Sequence, residues 1–156
     1  APGAEYGPAK RWPTRHFAEL AQQLELPVLL LGSGKEAALC AEIEQAVGKS
    51  TLRNLAGKTS LAQALSLISA TESIVTNDSG LMHVAAGFAV RQVAVFGSSS
   101  PLHTPPLNDN ARVLWLKNRP DYQPALDCAP CFARSCPLGH TRCLSDISAS
   151  DVLSLL

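Results

Sequence analysis

The chain lacks what indiscriminate binders rely on. Its thirteen basic and thirteen acidic residues cancel, so no net field draws it to nucleic acid or anionic lipid. Any anion it holds must be held by local groups. Aromatic residues make up only 5% of the chain, which leaves Leu, Ala and Val to fill the interior and favours helices packed on a parallel sheet. No apolar run approaches the roughly 20 residues that a membrane-spanning helix needs. The start Ala1-Pro2-Gly3-Ala4-Glu5 has the form of neither a signal nor a transit peptide. A soluble chain is expected.

Two nucleotide-binding motifs are also missing. Gly32-Ser33-Gly34-Lys35-Glu36 has the look of a P-loop, but Leu29 stands where its first Gly is required and Glu36 replaces the Ser or Thr that would hold magnesium. The same stretch lacks the third Gly of a dinucleotide fingerprint. Ala37 fills that place, a tolerated variant, yet no acidic residue closes a second strand about 20 positions on. An NTPase loop is excluded, and a nicotinamide enzyme or sugar-nucleotide epimerase is left without its fingerprint.

What is present is an alternation of strands and helices. A chain of 156 residues suits one domain that buries about 70% of its extended surface. After a polar, Pro-rich opening to Pro13, Thr14 is placed to cap a helix from about Arg15 to Leu24. Val28–Leu31, ended by Gly32, reads as a buried strand, and Glu36–Val47 carries apolar residues at helical spacing. Ser60 caps a predicted helix Leu61–Ser69. The strand Ser73–Thr76 then enters the turn Asn77-Asp78-Ser79-Gly80 and a helix from Leu81 to Phe88. Val93–Phe96 and Val113–Leu116 are the remaining predicted strands. Pro101 to Arg142 is loop-rich, and Ser148 to Asp151 forms a capping box before a short terminal helix. The expected fold is α/β, a Rossmann-like parallel sheet with helices on both faces. Its ligand edge lies at the carboxyl ends of the strands, where the loops at Gly32, Asn77 and Gly97 gather.

Residues 73–88 have the order strand, small polar turn, Gly, helix, which aims backbone amides and a helix dipole at an anion. Ser79 adds a hydroxyl, Gly80 lets a ligand approach the backbone, and Asp78 can accept from sugar hydroxyls. His83 follows Ser79 by four positions and shares its side of the helix. The bland alternative is a helix cap with a structural histidine. Lys10 and Arg11 offer charge for a diphosphate or form a solvated pair. Glu36 is placed to take the hydroxyls of a ribose or to serve as an ordinary acidic first-turn residue.

Cysteine use is uneven. Cys40 stands alone as a small core hydrophobe, whereas Cys128, Cys131, Cys136 and Cys143 crowd a short stretch with His140 among them. Three states stay open for the cluster: a structural zinc held by four thiolates, free thiols, or disulfides. With a metal, the chain also reads as a metal-stapled interaction module.

Four segments in order carry a resemblance: Pro2–Pro13, with Lys10-Arg11-Trp12-Pro13; Thr76–Ala86, with Asn77-Asp78-Ser79-Gly80-Leu81-Met82-His83; Val95–Pro101 with Thr104–Leu107; and the Cys-rich run from Cys128 to Cys143. Together they resemble the ADP-heptose:lipopolysaccharide heptosyltransferases of glycosyltransferase family nine. The resemblance implies one half of a GT-B glycosyltransferase, the carboxyl-terminal, donor-binding half. Residues 1–156 would form a single ADP-heptose-binding domain with a Cys-rich loop region at about 120–145, and the amino-terminal acceptor domain would be absent.

It further implies that Lys10 neutralises the leaving diphosphate and that Asp78 shares the catalytic site. Glu36, Thr59, Ser79, Gly80, Leu81 and His83 would bind the donor, with Thr59 near the adenine. The implied reaction is inverting and metal-independent, with no cofactor beyond the structural zinc already raised. Its partners are ADP-heptose and a lipopolysaccharide core acceptor, and its setting is the cytoplasm at the inner membrane of a Gram-negative bacterium. The general base would belong to the absent domain, leaving this half able to bind donor without efficient catalysis.

Overall fold

A computed structural model describes all 156 residues. Five parallel strands alternate with helices, except between the fourth and fifth, which a loop alone joins. β1 (Val28–Leu30) pairs with β2 (Leu52–Asn54), while β3 (Ser73–Asn77), β4 (Arg91–Val95) and β5 (Ala111–Leu114) pair in that order. The expected parallel sheet is therefore built in two pieces, since no hydrogen-bonded strand joins β1 to β3. The opening residues run along the free side of β3: the Ala1 nitrogen donates to the Val75 carbonyl at 2.8 Å, and the Asn77 side-chain amide donates to the carbonyls of Pro2 and Gly3.

Strand periodicity sorts the core onto two faces. Val93 and Val95 point into the larger cluster, which holds Trp12, Phe17, Ile43, Leu144, Ile147 and Val152. Ala94 and Phe96 point the other way, to Met82 and Trp115. Val93, Ala94 and Val95 of β4 and Phe96 just after it are all buried, which suits a central strand reading as one apolar run. The first face is covered by α1 (Thr14–Gln23), α2 (Ala37–Val47), α5 (Arg142–Ser145) and α6 (Ala149–Leu153). The other takes α3 (Leu61–Ser69) and α4 (Gly80–Gly87) around Ile68, Ile74 and Ala85. Helices thus flank both faces, as the alternation predicts.

The caps are partly as expected. The Ser60 hydroxyl accepts from the Gln63 amide ahead of α3, and Ser148 and Asp151 form the reciprocal box ahead of α6. Thr14 does not cap α1: Pro13 stands at that position, and the Thr14 hydroxyl donates to the Glu42 carboxylate at 2.6 Å. Gly34–Glu36 form a 3-10 turn before α2 starts at Ala37. β2, with only Leu52 buried, has too little apolar periodicity to announce itself. The last strand ends at Leu114, before Trp115, where the chain turns into a 3-10 segment at Leu116–Asn118.

Candidate functional site

The carboxyl edge gathers five loops into a continuous row. The loop after β2 meets the loop after β1 where the Gly57 amide donates to the Gly32 carbonyl. That loop in turn packs on the opening segment, because Glu36 lies so close to Gly3 that a Cβ there would collide with its carboxylate. The opening segment is tied to the end of β3 by Asn77, which is fully buried, donates to Pro2 and Gly3 and accepts from the Trp12 amide at 2.9 Å. The loop after β4 completes the row, with the Ser98 amide donating to the Ala9 carbonyl.

At the centre Lys10 meets Asp78. The ammonium lies 2.5 Å from the Asp78 carboxylate, and their side chains keep 17% and 5% of their surface exposed. Thr104 places its hydroxyl 3.4 Å from the other carboxylate oxygen, and the Tyr6 ring lies under both the Lys10 ammonium and the Arg134 guanidinium at 5.2 Å. A charge pair this enclosed is screened little by salt. Arg11 is not a free surface cation, for its guanidinium donates to the Ala4 carbonyl.

Beside the pair, α4 begins without closure. Ser79 stands at its cap position and its carbonyl accepts from the Met82 amide at 3.1 Å, but it makes no side-chain cap hydrogen bond, which leaves the Gly80 and Leu81 amides without a side-chain cap. Ser79 is half-buried and Gly80 exposed, with nothing within reach of a Cβ built at Gly80. Leu81 is half-buried against the apolar cluster of the second face. His83 is exposed, which sets aside the reading of a satisfied structural histidine.

Glu36 does what a first-turn carboxylate does. One of its oxygens takes both the amide and the hydroxyl of Ser33, at 2.5 and 2.8 Å. Its carboxylate remains in the row of loops, between Gly3 and Gly32. Thr59 lies farther along, half-buried on a shallow groove with Lys58, Ala62 and Gln63. Tyr6 and Arg134 were not expected from spacing, because only the folded loops bring two cations to one ring. Thr104 joins Asp78 from the loop after β4 and likewise has no local signal.

The four clustered cysteines are reduced, as is Cys40, which is fully buried in α2. They line one small cavity under the first loop. Burial and the neighbouring thiols push Cys143 up to about 11, whereas the backbone amides of Thr141, Leu138, His140 and Gly139 hold Cys136 below the usual thiol range. No helix is long and apolar enough to cross a membrane.

The sequence pattern of glycosyltransferase family 9 (heptosyltransferase) matches residues 1–141. The chain is 54% identical over 121 residues to lipopolysaccharide heptosyltransferase 2 of Salmonella typhimurium, covering 74% of this chain and 35% of that protein. It is 35% identical over 158 residues to lipooligosaccharide heptosyltransferase 2 of Campylobacter jejuni, covering 97% of this chain and 47% of the relative. It therefore spans less than half the length of these relatives. Its fold superposes on the structure of E. coli ADP-heptose lps heptosyltransferase II with a TM-score of 0.83 and 44% identity, over 99% of this chain and 43% of that one. The chain belongs to glycosyltransferase family 9, the heptosyltransferases.

Proposed function

We propose that this chain is the donor-binding part of an enzyme that transfers heptose from ADP-heptose to the lipopolysaccharide inner core. The observation that carries the reading is the Lys10–Asp78 pair standing beside the unclosed start of α4. An ammonium and a row of free amides converge where a diphosphate would sit, and such donors act most strongly on charge that builds up in the transition state. In the transfer, an acceptor hydroxyl attacks the anomeric carbon with inversion, and ADP leaves with the bonding electrons. Lys10 and the amides of Gly80 and Leu81 take up the charge of the departing diphosphate. Because these groups supply the positive charge, the reading asks for no divalent metal at the diphosphate.

Asp78, with Ser79 and His83 near it, is placed to accept from and donate to the sugar. Glu36 keeps one carboxylate oxygen for the ribose, and Thr59 borders the groove assigned to the adenine. The base that deprotonates the acceptor and the surface that holds it belong to a further domain. This part alone binds donor and transfers little. The full enzyme works on the cytoplasmic side of the inner membrane, meeting its lipid-linked acceptor there as a peripheral protein.

The test is calorimetry with ADP and AMP on the 156-residue chain. ADP should bind clearly more tightly than AMP, because the second phosphate carries the contacts with Lys10 and α4. Equal affinities would remove the diphosphate site.

A further inference from the structure

The fold brings four of the five cysteines to one place. Cys128, Cys131, Cys136 and Cys143 line a single small cavity, with Ala9 and Ser98 closing its other wall. Burying a thiol needs no such convergence, since Cys40 is fully buried in α2 by itself. Ser98, in the same lining, is 1% exposed and its hydroxyl has no hydrogen-bond partner.

We propose that these four thiols form a site for a divalent cation of the zinc class, and that the bound cation clamps the loop carrying Lys10. Binding forms four sulfur–metal bonds and releases up to four thiol protons to solvent, with no change of oxidation state. No three of the His, Cys, Asp or Glu side chains stand close enough together to hold a metal ion as the chain is folded, so Zn–S bonds of about 2.3 Å require the four thiols to turn inward. Cys131 is exposed and the other three are half-buried, so their side chains have room to do so.

The clamp follows from what lies between Cys131 and Cys136. The Phe132 amide donates to the Ser98 carbonyl at 2.7 Å, and the Ala9 amide donates to the Arg134 carbonyl at 3.0 Å. The Tyr6 hydroxyl donates to the Phe132 carbonyl at 2.7 Å. Residues 132–134 thus form the support on which Tyr6 and Ala9 rest, directly ahead of Lys10. A cation that ties Cys131 and Cys136 together closes this short segment into a loop and removes much of its freedom. The proposal does not depend on the donor reading.

The test uses the full 156-residue chain, reduced with a phosphine. Titration with Co²⁺ should give thiolate-to-metal absorption that saturates at one equivalent and is displaced by one equivalent of Zn²⁺. Cys131→Ser and Cys136→Ser should each weaken binding by more than about 100-fold, beyond the usual effect of losing a supporting contact. Cys40→Ala should leave it unchanged. Zn²⁺ should slow hydrogen exchange at the Ala9 and Phe132 amides at least about tenfold. No thiolate band from the folded wild-type chain at one equivalent would overturn the site. So would a band that survives in either cluster variant. Stoichiometric zinc with unchanged exchange at Ala9 and Phe132 would overturn the clamp.

Discussion

Lys10 and Asp78 lie 68 positions apart in the chain and 2.5 Å apart in space. The pairing depends on two supports: Asn77, which ties the opening segment to β3, and the Tyr6 ring beneath the ammonium. A lysine held this way is aimed before any ligand arrives, so less entropy is lost when an anion replaces or joins the carboxylate.

Asn77 should prove structural. It is fully buried and makes hydrogen bonds to Trp12, Pro2 and Gly3. Asn77→Ala breaks all three and leaves buried backbone groups unpaired, a loss of about 3 kcal/mol. Urea unfolding should show the midpoint falling with an unchanged slope. A change below about 1 kcal/mol would mean that the loop is held by other contacts.

Gly80 should prove functional instead. A side chain there meets no protein atom, so Gly80→Leu should alter stability by less than about 1 kcal/mol, leucine being the better helix former. The same side chain fills the space in front of the first α4 amides and should weaken ADP binding by at least about tenfold, or ~1.4 kcal/mol. Undiminished affinity would take the diphosphate away from this helix end.

Gly97 follows β4 and lies against the Cys-rich region, where a Cβ would run into the Leu144 side chain. Leu144 is itself 1% exposed and has little room to yield. Gly97→Ala should therefore cost about 1–3 kcal/mol by overpacking, read by thermal unfolding. Gly34→Ala, at an open position, is the control and should be nearly neutral.

Much of this was legible in the sequence because it is local. The alternation of apolar runs with helical spacing and the boxes at Ser60 and Ser148 depend on neighbours a few residues away. The turn at Asn77–Gly80 stood out for the same reason. The long-range part was not legible. β2 escaped notice because three residues with one buried side chain carry no period. Thr14 looked like a cap until Glu42, from another helix, took its hydroxyl. The break between β1 and β3 depends on where Ala1–Gly3 fall in space, and no pattern along the chain encodes it. Tyr6 and Arg134 became partners only through the folded Cys-rich segment.

The most direct test of the central claim is ADP titration of the wild-type chain beside Lys10→Ala and Asp78→Ala, each checked for folding by circular dichroism. ADP should bind the wild type with measurable heat at millimolar concentration. Lys10→Ala should lose about 10- to 100-fold in affinity, the value of a charge-assisted contact of ~1.5–3 kcal/mol, and Asp78→Ala should also bind more weakly. Folded variants that bind ADP as tightly as the wild type, or a folded wild type that gives no heat, would contradict the account.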